Sequence, residues 1–461
     1  MGKNKTKKRT RRPNKGWLAG SSATQTICSS FLLVIAVGTL LLTLPISSRT
    51  GRLGVIDAMF TATSATCVTG LVVRDTWSQF SLFGQVVILM LIQVGGLGLV
   101  TLTSFFALAA RRRMGFRDLR LLGESVSADG LSKATEVLKI VMKRAAAFEA
   151  VGSVLLLFAF VPQFGAEGVW VSVFTAISAF CNAGFDLFGR FGAYSSLVPY
   201  VNNYYVQAVI MFMIMAGGLG FMVWVELAEY RKKRRLSLHA KVVLQFSVIF
   251  WVGGAVLLAL LEWSNPRTMG GLSVPGKIMA ALFQSVSTRT AGMNTIDLAA
   301  CSPISKLLMS VLQFIGAAPG STGGGVKVTT FAVLILTIRS VAQGRDDCVI
   351  GGHHIESKTV YRALTIIVIG AVAAFGSAVV VYYNTAETVS VIDCIFESCS
   401  AFGTVGLSVG VTGQLNTGAK LLYMACMFMG RVGPVSLAIS LTAKPDDNKR
   451  KVLPVGHINV G

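Results

Sequence analysis

The sequence predicts an all-α polytopic membrane protein: four tandem helix–pore loop–helix units around a central pore, with eight transmembrane helices and four re-entrant pore helices. Composition is the first reason. Of 461 residues 53% are hydrophobic and 14% charged, and the mean hydropathy is +0.65, far more apolar surface than a soluble domain buries. The second reason is a repeat. Phe60–Gly70 (FTATSATCVTG), Phe174–Gly184 (FTAISAFCNAG), Leu282–Gly292 (LFQSVSTRTAG) and Phe396–Gly406 (FESCSAFGTVG) each set an apolar residue ten positions before a glycine, and the glycines lie 114, 108 and 114 residues apart. Self-similarity at one period marks tandem units.

Charge supplies the third reason. The formal charge is +21, yet 31 of the 42 Lys and Arg fall in five segments: Lys3–Lys15, Arg111–Arg144, Arg231–Lys241, Arg339–Arg362 and Lys444–Lys451. If the chain crosses the bilayer an even number of times between them, all five lie on one side. The positive-inside rule makes that side the cytoplasm, with both termini there and the protein multi-pass in the cell inner (plasma) membrane. No nucleic-acid partner is needed to explain the charge. The basic start precedes a long apolar span without a cleavage pattern, so it is not read as a removed signal peptide. The eight cysteines form no CxxC pair and read as small packing residues.

Taken in order, residues 1–20 form a basic cytoplasmic tail and 21–110 the first unit: a span over Ile27–Leu44 ended by Pro45, a short helix to Gly70, and a span from Gly84 to about Leu108. The short helix, about ten to twelve residues, is roughly 15 to 18 Å long, too short for a core of about 30 Å. It must dip in and return. Such backbone is tolerated at membrane depth only inside protein or beside a water-filled cavity, so four dips imply a shared aqueous axis. Residues 111–228 carry a cytoplasmic loop and the second unit (Ala145–Val161, Val169–Phe180, Tyr204–Leu227). Residues 229–338 carry the third (Val242–Leu261, Lys277–Thr288, Ile304–Ile338), 339–443 the fourth (Tyr361–Tyr383, Val391–Phe402, Gly418–Thr442), and 444–461 a cytoplasmic tail.

At the end of each dip stand Val68-Thr69-Gly70, Asn182-Ala183-Gly184, Thr290-Ala291-Gly292 and Thr404-Val405-Gly406. Thr-Val-Gly also opens the filter of potassium channels, where backbone carbonyls replace the water around a dehydrated cation. Only the glycine is common to the four, which lets carbonyls turn toward an axis, and each helix aims its partly negative end at that axis. The second glycine of a TVGYG filter is missing, so the narrow part is shorter. Asp75, Asp186 and Asp297 follow their glycines by five, two and five residues. They are either cation-concentrating acids at an outer mouth or ordinary solvated loop acids.

The second long helices share Gly95-Gly96-Leu97-Gly98, Gly217-Gly218-Leu219-Gly220, Gly316-Ala317-Ala318-Pro319 and Gly430-Arg431-Val432-Gly433. The third copy departs, continuing as Gly320-Ser321-Thr322-Gly323-Gly324-Gly325-Val326-Lys327. As one helix Ile304–Ile338 would be about 50 Å long. Pro319 and the glycines break it into half-helices joined by a flexible loop, placed to close the inner side of the pore, with Ser321 and Thr322 offering hydroxyls across the axis. GSTGGGVK is not a phosphate-binding loop, because Val326 separates Gly325 from Lys327 and no strand precedes it. Arg431 is either a positive barrier in the ion path or a structural tie to loop carbonyls, and Lys327 either joins the loop or snorkels. His353 and His354 lack further ligands at metal spacing.

These motifs resemble the Trk/Ktr/HKT superfamily of potassium transporters, most closely its KtrB-type membrane subunits. The resemblance covers nearly the whole chain after about residue 20 and rests on the four glycine segments, SVSTRTAGMNTID (Ser285–Asp297), APGSTGGGVK (Ala318–Lys327) and FMGRVGPVS (Phe428–Ser436). It implies a homodimer with one pore per subunit and potassium uptake, often sodium-dependent. It also implies a cytosolic nucleotide-binding regulatory ring (KtrA-like) on the inner face, a gating loop over Gly316–Gly325 and an arginine, here Arg431, beside it. Four filter glycines fit potassium preference; a serine at the first would raise sodium selectivity, and a sodium-preferring transporter of the same fold is the alternative. Met293 stands where the family commonly has phenylalanine. Against an enzyme, no cluster of catalytic residues repeats or converges; against a scaffold, only a pore explains four re-entrant segments in register.

Overall fold

The computed structural model describes residues 23–98, 101, 104, 131–345, 348–385, 389–434 and 437. The basic tail before residue 23, the basic loop 105–130, the tail after 437 and Ser436 of FMGRVGPVS lie outside the described residues, as do the expected ends of the second spans near Leu108 and Thr442.

The first unit is Ala23–Leu42 (α1), Val55–Thr66 (α2) and Leu82–Leu97 (α3). The second is Leu131–Phe164 (α4), Glu167–Phe180 (α5), Tyr204–Gly218 (α6) and Phe221–Lys233 (α7). The third is Leu238–Glu262 (α8), Val274–Ser287 (α9), Pro303–Phe314 (α10) and Val328–Ala342 (α11). The fourth is Ser357–Asn384 (α12), Val391–Gly403 (α13) and Thr417–Val432 (α14).

The first helix of every unit, α1, α4, α8 and α12, is long and apolar enough to cross a membrane. These four form the outside, with Leu33, Leu40, Phe158, Leu260 and Val372 exposed; in lipid, exposure of such side chains costs nothing. The short helices α2, α5, α9 and α13 are the interior. Phe60, Phe174 and Phe396, ten residues before their glycines, are fully buried. In the third unit the fully buried residue is Phe283 rather than Leu282, which is half-buried.

The second helices depart from the sequence reading, which took 84–108, 204–227 and 418–442 as unbroken spans. Each begins at a side-chain cap, Ser81, Asn203, Ser302 or Asn416, which satisfies an otherwise orphan amide. They then run 16, 15, 12 and 16 residues, roughly 18 to 24 Å, and stop inside the expected span. The stops are at Gly98, Gly220 and Gly433, with φ of 84°, 89° and 95°, values a right-handed helix cannot contain. In the second unit α6 and α7 meet at 99°. The third unit breaks at the same register by means of its long loop, residues 315–327, between α10 and α11.

α4 is longer than Ala145–Val161 and runs through Pro162. Among the described residues the all-α expectation also has one exception, the antiparallel pair Cys348–Ile350 (β1) and His353–Ile355 (β2). Gly351 and Gly352 both have positive φ, as a two-residue hairpin turn requires. All eight cysteines are buried and free of disulfides.

Candidate functional site

Each short buried helix ends in one backbone path, repeated four times with different side chains. Two residues before the glycine, Val68, Asn182, Thr290 and Thr404 have φ of 57°, 56°, 77° and 52°; Gly70, Gly184, Gly292 and Gly406 follow at 90°, 71°, 78° and 93°. The left-handed region costs an ordinary residue about 1–2 kcal/mol, and it is rare for β-branched ones such as Val68, Thr290 and Thr404. Such strain persists only where the surroundings over-determine it. Here a serine on each helix does so. The amides of Thr69, Ala183 and Val405 donate to the carbonyls of Ser64, Ser178 and Ser400 at 2.8, 2.8 and 2.9 Å, and that of Ala291 to Ser287 at 3.0 Å. The hydroxyls add to this: Ser64 and Ser400 accept from the Gly70 and Gly406 amides at 3.1 and 3.0 Å, Ser178 donates to Phe185 O at 2.6 Å, and Ser287 donates to Met293 O.

The four glycines close into a ring. A Cβ placed on Gly184 would lie 3.2 Å from the Gly70 Cα and 3.1 Å from the Gly292 Cα; one on Gly292 would lie 3.2 Å from the Gly406 Cα, and one on Gly406 2.9 Å from the Gly70 Cα. The same Cβ atoms would run into the preceding-residue carbonyl of the next unit: Ala183 O at 2.5 Å from Gly70, Ala291 O at 3.0 Å from Gly184, Val405 O against Gly292 and Thr69 O against Gly406. Glycine is therefore required twice at these positions, for its φ and for the approach of a neighbouring carbonyl.

The ring has two faces. The chain continues from the glycines into a cavity of about 600 Å³ that all four line, together with Asp75, Asp186 and Asp297. These carboxylates also do local work. Asp75 caps a short helix at the Ser78 amide (2.8 Å) and accepts from the Tyr194 amide (3.2 Å), Asp186 accepts from Phe188 N at 2.9 Å, and Asp297 from Ala299 N at 2.9 Å. Burial pushes the Asp186 carboxyl up to about 7, with the nearby Asp75 charge adding to the rise and the Phe188 N–H opposing it.

Against the other face lies the Gly-rich loop. It is pinched at its base, where Gly316 N donates to Val326 O at 2.7 Å and Val328 N to Ala317 O at 3.1 Å. Thr322, Gly323 and Gly324 each meet a residue two before a ring glycine. The Thr322 hydroxyl lies 3.2 Å from the Asn182 amide, and the Cα atoms of Gly323 and Gly324 face the Thr290 and Thr404 hydroxyls too closely for any Cβ. The broken helices supply the rest. Ala318 N and Thr322 N donate to Gly218 O and Gly217 O at 3.0 and 3.3 Å, Phe221 N to Gly320 O at 2.8 Å, and Gly325 N to Gly430 O at 3.1 Å. A helix end leaves such groups without intrahelical partners, so stopping α6 and α14 early creates the backbone that holds the loop.

Several sequence expectations change here. The loop is stitched down over most of its length rather than loose. The Ser321 hydroxyl closes a local turn on Ala318 O (2.6 Å) and reaches nothing across an axis, whereas Thr322 Oγ1 does cross, to Phe180 O at 3.1 Å. The Lys327 ammonium does not snorkel; it donates to Gly323 O at 2.6 Å. The Arg431 guanidinium donates to Thr322 O, Gly95 O and Gly96 O, which joins the loop to the end of α3. Pro319 turns its carbonyl toward Gly220. Lys327 and Arg431 also line a cavity of about 160 Å³ on this face.

The four serines escaped notice, although a hydroxyl six or five positions before each glycine is a legible repeat. So did Glu397, a fully buried carboxylate that accepts from Ser408 Oγ (2.6 Å), Val411 N (2.9 Å), Thr412 N (3.0 Å) and Thr412 Oγ1 (3.3 Å) and so fixes the segment after Gly406. Its signal was an acid in the middle of α13, beyond the first turn where Asp393 stands.

The architecture is that of a helical membrane protein whose four repeats meet at a ring of glycines. Residues 4–451 match the family described as TrkH, Cation transport protein, and the chain belongs to that family. It is 35% identical to Ktr system potassium uptake protein B of Bacillus subtilis (strain 168), over 95% of this chain and 96% of that one. It is 38% identical to the protein of the same name from Vibrio alginolyticus, over 91% of each, and 36% identical to potassium/sodium uptake protein NtpJ of Enterococcus hirae, over 92% and 93%. The fold is that of the potassium transporter TrkH from Vibrio parahaemolyticus, with a TM-score of 0.72, 19% identity and coverage of 94% and 87%.

Proposed function

We propose that the chain is the ion-conducting membrane subunit of a potassium uptake system. The observation that carries this reading is the closed ring of Gly70, Gly184, Gly292 and Gly406 with the carbonyls of Thr69, Ala183, Ala291 and Val405 set against neighbouring glycines. Carbonyl oxygens in a ring replace the water around a dehydrated cation without bearing a full charge, which binds the ion while leaving it free to move on. The 600 Å³ cavity is the outer vestibule, and Asp75, Asp186 and Asp297 raise the local cation concentration there. The Gly-rich loop is the gate, because it covers the inner face of the ring where an ion would leave. Divided as in the sequence reading, each of the four units contributes one quarter of the filter. The relatives named as potassium uptake proteins support the choice of ion.

The assembly that fits is a homodimer in the cell inner (plasma) membrane, with both termini cytoplasmic and a nucleotide-binding ring docked on the inner face. Potassium flux into liposomes holding the purified chain tests the reading, with residues 316–325 intact or shortened. Flux that rises on shortening supports pore and gate together; no flux in either overturns both. The similarity to a potassium/sodium uptake protein favours one further reading, a sodium-preferring pore. Competition between the two ions in the parent and in Gly70→Ser separates them.

A further inference from the structure

The Gly-rich loop has a third cationic partner that its neighbours in sequence do not announce. Arg289 stands at the end of α9, one residue before Thr290, and is 4% exposed. Among the described residues it has no ion pair; its Nη2 donates to Gly316 O at 2.9 Å and its Nη1 to Ser247 O at 3.4 Å. Its guanidinium lies over the rings of Phe250 and Trp251, 5.3 and 5.9 Å from their centres. A cation held in a membrane by carbonyls and aromatic faces alone is costly to place, and its retention points to a task.

The peptide it holds is the base of the loop. Gly316 accepts from Arg289 through its carbonyl while its own amide donates to Val326 O at 2.7 Å, so the same residue closes the loop and fastens it to α9. The frame is fixed on the other side as well, since the Ser285 hydroxyl bridges α9 to the Trp251 and Phe250 carbonyls of α8 at 2.7 and 3.2 Å. The equivalent positions, three before the ring glycine, are Cys67, Cys181 and Gly403. Only the unit that carries the loop has a side chain able to reach it.

We propose that Arg289 is a positioning residue for transport, holding the base of the loop against the third filter segment, Thr290-Ala291-Gly292, so that the loop cannot leave the pore without breaking a buried charge-assisted hydrogen bond. This rests on the reading of the loop as the gate. Arg431 and Lys327 hold the loop's tip, at Thr322 and Gly323; Arg289 holds its root and joins it to the backbone path of Thr290. Losing one charge-assisted bond to a buried carbonyl corresponds to about a tenfold to hundredfold change in the closed-to-open ratio.

The test is potassium flux into proteoliposomes holding the full chain without a cytosolic partner, for the parent, Arg289→Gln and Arg289→Lys, each with the loop intact and with residues 316–325 shortened. Arg289→Gln is expected to raise basal flux about tenfold with the loop intact and to change nothing with it shortened; Arg289→Lys, which reaches one carbonyl, falls between. If shortening the loop in the parent fails to raise flux, the gate reading falls and takes this inference with it. If shortening does raise flux, but Arg289→Gln leaves basal flux at the parent level or shifts both backgrounds equally, the gate reading stands and the role of Arg289 is overturned. Should Arg289→Gln not yield folded protein, parent-level basal flux in Arg289→Lys is the overturning result.

Discussion

The two levels of the interior, the glycine ring and the loop against it, are built from the same four repeats and obey opposite rules. At the ring all four units reach the same result: one φ pattern, a supporting serine and one glycine whose missing side chain admits a neighbour's carbonyl. At the loop three units stop at a glycine, and one extends across. The reason is geometric. A ring around an axis needs equal contributions from each side, whereas the axis itself has room for a single segment. On the proposed reading, symmetry serves the groups that surround an ion, and its loss in one repeat serves the segment that occupies the ion's path.

The comparison is broken most severely by adding a methyl group to the ring. Gly406→Ala combines a positive φ with a collision against Thr69 O. The two effects together amount to about 3 kcal/mol, or roughly a hundredfold loss of potassium flux. Gly410→Ala is the control, since Gly410 shares the φ (98°) but has nothing within 4 Å of the added atom. It should leave flux near the parent value in the same liposome assay; equal losses in both variants would mean that backbone strain, not the ring contact, governs conduction.

A smaller effect sharpens the other level. Arg431→Gln should raise basal flux by about tenfold, as a lost multidentate tie releases the loop. Arg431→Lys then separates the two roles. A lysine keeps the charge but cannot span Thr322 O and the end of α3, so flux above the parent value identifies a tie, and parental flux identifies an electrostatic barrier.

The smallest effect is at the vestibule. With its carboxyl at about 7, Asp186 is largely neutral at pH 6 and ionised at pH 8, so potassium entry at low ionic strength should rise about twofold between them. Asp186→Asn or high salt should flatten the rise. The contribution of Asp186 to folding stability runs the other way: a carboxyl raised from the ordinary aspartate value favours the protonated folded state, so its contribution is full below about 4 and is lost as pH climbs to about 7. Thermal unfolding followed across that range in parent and Asp186→Asn checks the sign.

Much of this was legible because it is periodic. A glycine ten residues after an apolar one, repeated four times, can be found without coordinates, and so can a membrane span or the run APGSTGGGVK. The breaks at Gly98, Gly220 and Gly433 were harder. The motifs were visible, but a glycine inside an apolar run is compatible with a continuous membrane helix, and nothing local says that the freed carbonyls of Gly217, Gly218 and Gly430 have a loop to hold. Arg289 and the direction of Lys327 were out of reach for the same reason, since the partners of Arg289 are distant in the chain and that of Lys327 lies across a turn whose path the sequence leaves open.

The sequence by itself determined that the chain lies in a membrane, that it is fourfold, and which repeat is the odd one, because hydropathy and spacing are properties of the chain read along its length. Tertiary structure alone decided that the four glycines touch, that helices stop short to free their carbonyls, and that Arg431, Lys327 and Arg289 all turn toward one loop. Each of those depends on groups far apart in the chain arriving within hydrogen-bonding distance, and a buried polar group takes the partner that packing brings to it.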